Sequence, residues 1–507
     1  YLNSLNSWLS PFGLIMSVEK TTPILFSNNT NDDNYELYIR GQKLTPHKEH
    51  KYLGVTFDKR MTWRPHLLDI SKRCKGRINI IKSLAYAKWS GDAKELVMIY
   101  KALILSIIDY GCEAYNAATT SAKNMLNSVQ YQSLFVCAGA RKGTSLKTLQ
   151  VELGEMPFDL RREMLSIKLR KRIESMRKHP LNEDVKDCWQ FNIFGGTNSR
   201  LAFGRRTKDC TLKFSYILED PMKYFFNTPF WKILPPHVSS ELKEVITKTD
   251  ICFAPKQAAL ELINSKWKNY LHIYTDGSRS PDKDSAAAAF HVSYYDVSQS
   301  KRLANYTSSY RAEMATIVHT LTWLLQLPEL YTGAVIFSDS LSLLQAIESR
   351  KDESFILEIL TLCSQLKYKD TQVNFKWIPS HCGLQHNEIT DKFAKAGLNK
   401  NIEINNALAR AESNYVIKKY YIEIWQKRWN ETSSPLRETQ TLVSKTFVCY
   451  LNNRNHETVL HCLRMGNLGL NATLFQLNQH GTGHCSNCEH EKETVKHFVY
   501  ANAHSVL

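Results

Sequence analysis

The chain has 507 residues, of which 43% are hydrophobic and 11% aromatic, so it can form packed cores and is not disordered throughout. At roughly 150 residues per domain, this length predicts about three domains. The formal net charge of +16 at pH 7 favours an anionic partner, and nucleic acid is the leading candidate.

The first part of the chain predicts strands followed by helices. Residues 13–27 and 37–58 have strand-turn-strand composition, whereas residues 58–180 have helical periodicity. The most apolar run, "ALILSII" at 102–108, is too short to span a membrane, so we expect no membrane contact.

Residues 181–265 have the composition of a basic and aromatic connector. Its first part belongs to a strongly basic stretch, 161–215, whose charges either line solvated helix faces or contact phosphates. Composition does not choose between these two interpretations. The segment "FGGTNSRLAFGRRT" at 194–207 predicts a loop.

Residues 266–400 predict three strands, a helix, a strand, two helices, a strand and a final helix. This order is typical of an α/β layer with a mixed sheet. The first of these helices is amphipathic over 309–327, and the last is expected to begin at an Asn387 N-cap and to end at Gly397. Residues 401–507 predict mainly helices and end in a group of cysteines and histidines.

Four acidic residues lie where separate elements of this α/β region can bring them together. Asp276 and Asp339 follow predicted strands, Glu313 borders the sheet-facing stripe of the amphipathic helix, and Asp391 lies in the first turn of the final helix. Crowded carboxylates repel one another unless cations neutralise them, and Mg²⁺ prefers such oxygen ligands. Two such ions can promote phosphodiester cleavage. Each acid alone is more often a turn residue or a helix cap, but all four in this order favour a metal site over a purely structural domain.

Four motifs in the same region resemble those of a type 1 ribonuclease H domain: "YTDGS", "YRAEM", "FSDS" and "WIPSHCGLQHNEITDKFAK". The resemblance covers residues 270–397 and implies a five-stranded mixed sheet with flanking helices. It also implies hydrolysis of the RNA strand of RNA–DNA hybrids with two Mg²⁺ ions, for which Mn²⁺ can substitute. The implied metal ligands are Asp276, Glu313, Asp339 and Asp391. His381 matches a histidine that lies on a mobile loop in the family and assists proton transfer or product release.

The same resemblance indicates how the substrate is held. Ser278 and Ser340, beside two of the acids, and Asn387 are candidate nucleic-acid contacts, and Glu388 lies near the site. Many stand-alone members of the family carry a basic protrusion, but the corresponding residues 349–370 are mixed in charge here. We therefore expect the hybrid to be gripped elsewhere, by the basic stretch or by the helices before it.

The N-terminal third has a second, looser resemblance. "LNSWLSPFGLIMSVEKTTPILFS" and "KYLGVTFDKRMTWRPHL" resemble the last palm segments of a non-LTR retrotransposon reverse transcriptase, and "TSLKTLQVELGEMPFDLRREM" resembles the helical region that follows in insect-type elements. The implied order is a palm remnant (1–57), a thumb-like region (58–180), the connector (181–265), the ribonuclease H domain (266–400) and a helical C-terminal region (401–507).

This order implies a C-terminal fragment of a polyprotein. The catalytic aspartates of such polymerases precede the matched palm segment, so we expect no polymerase activity from this chain. We expect the protein to act inside the cell, in the nucleus or in a ribonucleoprotein. Most of its twelve cysteines lie in apolar or mixed surroundings, as reduced intracellular thiols do.

The C-terminal cysteines have a different pattern. Cys485, Cys488 and His497 have the spacing of zinc ligands. Similar elements often end in a zinc knuckle with a fourth cysteine five residues after the histidine, where this chain has Asn502. His484 or His504 could replace that ligand. The alternative is a pair of exposed, reduced cysteines without a metal.

Taken together, the residues and the resemblance predict an endoribonuclease of the ribonuclease H type that acts by two-metal-ion catalysis. The alternative is a catalytically idle, nucleic-acid-binding remnant of a retrotransposon reverse transcriptase. Cleavage of a hybrid would distinguish the first from the second, and salt-dependent binding without cleavage would favour the second.

Overall fold

A computed structural model of the chain describes residues 2–27, 35–86, 91–176, 179–186, 203–214, 235–245, 253–327, 333–351, 353–404, 407–444 and 453–504. The chain divides into two compact units. The first unit contains Tyr1–Arg170, Glu183–Leu212 and Ile417–Leu507, and the second contains Lys171–Asn182 and Lys213–Val416.

The first unit begins with a short helix and two small hairpins: α1 Leu2–Leu9, β1 Leu37–Ile39, β2 Gln42–Leu44, β3 Glu49–Tyr52 and β4 Val55–Asp58. The strands pair antiparallel, β1 with β2 and β3 with β4. The strands predicted within residues 13–27 are absent from the structure. The backbone there makes isolated hydrogen bonds, such as Ser27 N–H to the Lys59 carbonyl (3.1 Å), and no ladder forms.

Helices dominate the rest of this unit's N-terminal part, as the periodicity predicts. They are α2 Arg64–Ala85, α3 Ala93–Tyr100, α4 Ser106–Asp109, α5 Cys112–Tyr115, α6 Thr120–Ala138, α7 Leu146–Glu152, α8 Phe158–Ser175, α9 Asn182–Lys186 and α10 Phe203–Leu212. The predicted loop at 194–207 is wrong from Phe203 onward, and residues 194–202 lie outside the described residues. Arg170 of α8 stabilises the start of α10 by donating to the Gly204 carbonyl and to Thr207 Oγ1 (2.5 and 3.0 Å).

The second unit contains a seven-stranded mixed sheet with helices on both faces. Its elements are β5 His237–Ser239, α11 Leu242–Val245, α12 Phe253–Lys266, β6 Leu271–Ser280, β7 Ser285–Val292, β8 Val297–Leu303, α13 Ser309–Gln326, β9 Gly333–Ser338, α14 Leu341–Glu348, α15 Ser354–Tyr368, β10 Gln372–Trp377, α16 Gln385–Gly397, β11 Ile402–Ile404 and the start of α17 Arg410–Asn430. The predicted α/β class and the predicted order from β6 to α16 are confirmed.

The strand order is β11-β8-β7-β6-β9-β10-β5. The five expected strands, β6 to β10, form the centre, and the three-residue strands β5 and β11 extend the two edges. Side chains alternate between the two faces of each strand. Ile273 of β6 therefore packs on the face that α13, α14 and α15 cover, and its neighbour Tyr274 packs on the face that α12 covers.

Two local predictions differ from the structure. Strand β6 does not end at Asp276 but runs on to Ser280, because it stays paired with β7 as far as the pair of Ser280 and Ser285. Helix α16 begins at Gln385 after an N-cap at Leu384, so Asn387 lies inside the first turn and Asp391 in the second. The buried Leu384 side chain and the stacking of His386 on His291 (ring centroids 5.1 Å apart) fix the earlier start.

The C-terminal part of the first unit contains the end of α17 and three further helices, α18 Arg454–Arg464, α19 Asn471–Gln476 and α20 Val495–His504. Among the described residues, no helix combines the length and the apolar character that a membrane span requires.

Candidate active site

The pairing of β6 with β9 brings two of the predicted acids side by side. The strands are parallel and their register places Tyr274 opposite Phe337. Asp276 lies two residues after Tyr274, and Asp339 lies two residues after Phe337. The two acids are therefore side by side, and their side chains point to the same face of the sheet. The Trp377 indole N–H donates to the Asp339 carbonyl (3.1 Å) and so holds this end of β9 against β10.

Glu313 reaches the same place from helix α13 because Gly277 lets that helix come close to β6. A Cβ atom at Gly277 would lie 2.4 Å from the Glu313 backbone nitrogen, a distance that no side chain tolerates. Thr316, one turn later, donates its hydroxyl hydrogen to the Asp276 carbonyl (3.0 Å). The glycine after Asp276 is therefore a close-approach residue within a strand, and the sequence "DG" does not form a turn here.

Asp276, Glu313 and Asp339, hereafter the acid cluster, have carboxylate oxygens within 4.8 Å of one another. Burial and the negative charges of Asp339 and Asp391 raise the pKa of Asp276 to about 7. Burial and the neighbouring Asp276 and Asp339 charges raise the pKa of Glu313 well above its ordinary value. Burial also raises the pKa of Asp339, which the nearby His381 partly opposes. Crowding and partial burial disfavour three carboxylate anions at this distance, and a bound cation would stabilise them.

The chemistry of the acid cluster fits a hard divalent cation. All donors are carboxylate oxygens, which are the ligands that Mg²⁺ and Mn²⁺ prefer. Glu313 Oε2 is buried and has no hydrogen-bond partner among the described residues, although the Gly277 N–H donates to the Glu313 carboxylate. A buried oxygen without a donor is costly, and a metal ion would satisfy it.

Asp391 lies beside the acid cluster but outside it. Its Oδ2 accepts a hydrogen bond from the Lys395 ammonium one turn later (2.6 Å). Its charge still contributes to the raised pKa of Asp276, and the Lys395 charge acts on Asp276 in the opposite direction. The role of Asp391 as a fourth metal ligand stays a prediction.

His381 is exposed on the loop between β10 and α16. Two residues of this loop have left-handed backbones, His381 (φ 50°) and Gly383 (φ 80°), and Cys382 between them is buried. The His381 charge contributes to the pKa of both Asp276 and Asp339, which places the imidazole near these carboxylates. Its part in proton transfer stays a prediction.

The other predicted contacts surround the acid cluster. Ser278 is half-buried on β6, two residues beyond Asp276 on the same face. Ser340 precedes α14 and its side chain makes no capping hydrogen bond. Asn387 is buried, and its Oδ1 has no hydrogen-bond partner among the described residues. Glu388 is exposed on α16. Their contacts with nucleic acid stay predictions.

Cys485, Cys488 and His497, hereafter the thiol cluster, form a second group of ligands in the first unit. Their ligand atoms also lie within 4.8 Å of one another. Cys488 Sγ lies 3.5 Å from His497 Nε2, and the other ring nitrogen, Nδ1, lies 2.9 Å from Glu491 Oε2. The backbone N–H groups of Asn487 and Cys488 lower the pKa of the Cys485 thiol. A histidine oriented by a carboxylate and a stabilised thiolate are features of zinc sites.

The fourth ligand of the thiol cluster is less defined. His484 is exposed and is not among the residues that share this cluster. The side chains of Asn502 and His504 lie outside the described residues. Zinc binding with one of these residues in place of a fourth cysteine therefore stays a prediction.

Several residues that position the acid cluster, or neutralise a charge beside it, were not predicted from the sequence. Gly277, Thr316 and Trp377 position the acid cluster through contacts between elements, and Lys395 neutralises Asp391. Of these, Lys395 had a sequence signal, because lysine four residues after aspartate on a helix forms an ion pair.

Comparison with known proteins agrees with this geometry. Residues 268–399 match the family model for RNase H, so this part of the chain is an RNase H domain. The chain is also similar to polyproteins of non-LTR retrotransposons, as the sequence predicts.

Three relatives define this similarity. The RNA-directed DNA polymerase from mobile element jockey of Drosophila melanogaster is 24% identical over 140 residues, which are 28% of this chain and 15% of the relative. The retrovirus-related Pol polyprotein from type-1 retrotransposable element R1 of Bradysia coprophila is 25% identical over 175 residues, 33% of this chain and 17% of the relative. The corresponding R1 polyprotein of Nasonia vitripennis is 23% identical over 160 residues, 30% of this chain and 48% of the relative. In each case the chain spans less than half of the relative's length.

Proposed function

We propose that the RNase H domain of this chain hydrolyses the RNA strand of RNA–DNA hybrids, and that the acid cluster, together with Asp391, binds two Mg²⁺ ions for this reaction. The observation that carries the proposal is the meeting of one buried and two half-buried carboxylates within 4.8 Å, the buried one with an oxygen that has no partner among the described residues. When bound, such ions lower the pKa of a water molecule and stabilise the leaving oxygen.

The residues around the acid cluster support this chemistry. The sheet and α13 hold Asp276, Asp339 and Glu313 on rigid elements, so the ligands are positioned before any substrate arrives. The imidazole of His381 is exposed on the loop that follows β10, and its charge acts on Asp276 and Asp339, so it lies where a substrate bound at the acid cluster would be within reach. The serine hydroxyls of Ser278 and Ser340 on either side are suited to bind phosphate and ribose oxygens.

The same arrangement predicts the substrate class. RNA differs from DNA by its 2′-hydroxyl groups, which are displayed across a wide and shallow minor groove. Polar side chains around the acid cluster can read these hydroxyls and the phosphates without reading base edges. We therefore propose cleavage with little sequence preference and strong dependence on salt concentration.

A cleavage assay with the full chain tests the proposal. A hybrid whose RNA strand is end-labelled is incubated with Mg²⁺, and single-stranded RNA and an RNA duplex serve as competing substrates. We expect cleavage of the hybrid alone. Asp276→Asn should reduce the rate at least about a thousand-fold, because it removes a ligand that acts in the transition state.

Asp282→Asn is the matched control for that assay, since Asp282 is an exposed acid on the same hairpin and lies outside the acid cluster. It should cleave at the wild-type rate. Hybrid binding without any cleavage by the wild-type chain would contradict the proposal and would favour a nucleic-acid-binding remnant.

We also propose that the thiol cluster binds one Zn²⁺ ion with a structural role. The proposal is supported by two sulfur ligands, a histidine oriented by Glu491 and the lowered pKa of Cys485. Zinc content of the purified chain, measured by elemental analysis with and without Cys488→Ser, tests it. One equivalent of zinc that the variant loses supports the proposal, and equal zinc content in both proteins contradicts it.

A further inference from the structure

Helix α12 lies outside the segment that matches the RNase H family but packs against its sheet. The matched segment begins at residue 268, whereas α12 ends at Lys266. Ala259, Ile263 and Trp267 are buried in one apolar cluster with Tyr274 of β6 and Phe337 of β9. The helix is therefore an added support on one face of the catalytic sheet.

The same apolar cluster includes Cys382 and Leu384, which belong to the loop that carries His381. Helix α12 and this loop therefore share one apolar cluster, and the loop is positioned in part by residues outside the family domain. The left-handed backbones at His381 and Gly383 further limit the conformations that the loop can adopt.

Lys256, in the first turns of α12, lies across this loop. Its Cδ and Nζ atoms are each 3.7 Å from the position that a Cβ of Gly383 would occupy. Glu388 Oε1 lies 3.9 Å from the same position. The lysine is half-buried, so its stem packs against the loop while its ammonium group lies beside Gly383, which follows His381 by two residues in the sequence.

The ammonium group of Lys256 makes no hydrogen bond or ion pair with the residues that the structure describes. Lys266 at the other end of α12 differs, because its ammonium pairs with Glu241 (2.9 Å). Lys395, which lies beside the acid cluster, is paired with Asp391. A lysine whose stem is held by packing and whose charge is unpaired is well suited to contact a phosphate.

The negative charge around the site favours such a contact. The acid cluster, Asp391 and Glu388 present five carboxylates to a substrate that is itself a polyanion. Metal ions would neutralise the acids at the reacting phosphate but not the neighbouring phosphates of the hybrid. We propose that Lys256 binds a backbone phosphate of the RNA–DNA hybrid next to the His381 loop. This inference rests on the proposed function, since it assumes that hybrids bind at the acid cluster.

Hybrid binding by the full chain tests the inference. Asp276→Asn serves as the parent, so that the hybrid stays intact, and affinity is measured by fluorescence anisotropy over a series of KCl concentrations. Lys256→Gln in this background should reduce the slope of log affinity against log salt by about one. It should also weaken binding about fivefold at low salt, the upper range for a solvent-accessible ion contact.

Three further variants separate this contact from general effects. Lys266→Gln removes one positive charge from the same helix and should leave the slope unchanged. Lys256→Arg keeps the charge and should keep the slope, whereas Lys256→Met keeps the unbranched stem over Gly383 and should behave like Lys256→Gln. Thermal unfolding of each variant shows that it is folded.

A failure of this inference can be distinguished from a failure of the proposed nuclease function. Failure of the wild-type chain to cleave any hybrid would contradict the nuclease proposal, and it is measured separately from binding. An unchanged salt slope in folded Lys256→Gln or Lys256→Met, with the hybrid still bound, would overturn the inference about Lys256 alone. An equal loss of slope in Lys266→Gln would overturn it too, because the effect would then be one of total charge.

Discussion

The acid cluster and the thiol cluster each bring three ligands within 4.8 Å, but the protein holds them in opposite ways. The acid cluster is built from two neighbouring strands and a helix, and burial raises the pKa of its carboxylates. The thiol cluster is built from a tight turn and one helix, and backbone N–H groups lower the pKa of Cys485. The fold holds the carboxylates of the acid cluster close together, which disfavours their charged forms. In the thiol cluster, local hydrogen bonds favour the thiolate form of Cys485.

This difference indicates which of the two clusters needs a metal ion to keep its local structure. The strands that hold the acid cluster are stabilised by a large apolar core on both faces of the sheet, so they keep their places without a cation. The thiol cluster follows the short helix α19 and is absent from the apolar clusters that stabilise the sheet. Metal at the acid cluster would serve chemistry, and metal at the thiol cluster would serve local folding.

The largest expected effect is on cleavage. Glu313→Gln should lower hybrid cleavage at least about a thousand-fold and should raise the free energy of unfolding without metal, because it removes a buried negative charge beside two others. Cys485→Ser in the other unit should leave the cleavage rate unchanged. Single-turnover rates that showed a loss of hybrid cleavage in Cys485→Ser and not in Glu313→Gln would contradict these separate roles of the two clusters.

The next effect concerns the pH dependence of stability in the presence of a chelator. The pKa of Asp276 rises from 3.8 to about 7 on folding, so the folded state keeps a proton that the unfolded state has lost between these pH values. Stability must therefore fall as the pH rises from about 4 to about 7. We expect a loss of roughly 2 to 4 kcal/mol, to which the raised pKa values of Glu313 and Asp339 add in the same direction.

Urea unfolding at pH 5 and pH 8 measures this loss. Asp276→Asn should reduce the difference between the two pH values, and Mg²⁺ should restore the stability of the wild-type chain at pH 8 but not that of the variant. Equal stability of the wild-type chain at both pH values would show that the acids are not crowded as described.

The smallest expected effect concerns the zinc affinity of the thiol cluster. Glu491→Gln removes the carboxylate that orients His497 and should lower zinc affinity roughly ten-fold. Hybrid cleavage should not change. Competition with a zinc-sensitive dye measures the affinity, and Glu489→Gln, an exposed acid within the same turn, is the control. Equal zinc affinities of Glu491→Gln and the control would contradict a zinc site in which Glu491 orients His497.

The sequence predicts the α/β layer well, because hydrophobic periodicity and the four acidic motifs are local signals. It also indicates that Asp276, Glu313 and Asp339 can meet, since strand ends and helix faces follow from those elements. The three-residue edge strands β5 and β11 have no such signal, because only pairing with a neighbour makes them strands.

The errors have a common physical origin in contacts between distant segments. "DG" at 276–277 is typical of a turn, but in the structure the glycine makes room for helix α13. Asn387 is a favourable N-cap by type, yet the packing of Leu384 starts the helix earlier. Lys256 gives no signal at all, because its importance depends on a loop that lies far along the chain.

The most direct test of the central claim is to locate bound metal by anomalous X-ray diffraction from crystals of the full chain with a hybrid and Mn²⁺. We predict two Mn²⁺ peaks among the oxygens of the acid cluster and Asp391, and their loss in Asp276→Asn. Absence of Mn²⁺ from this position, at a concentration that supports cleavage in solution, would contradict the account.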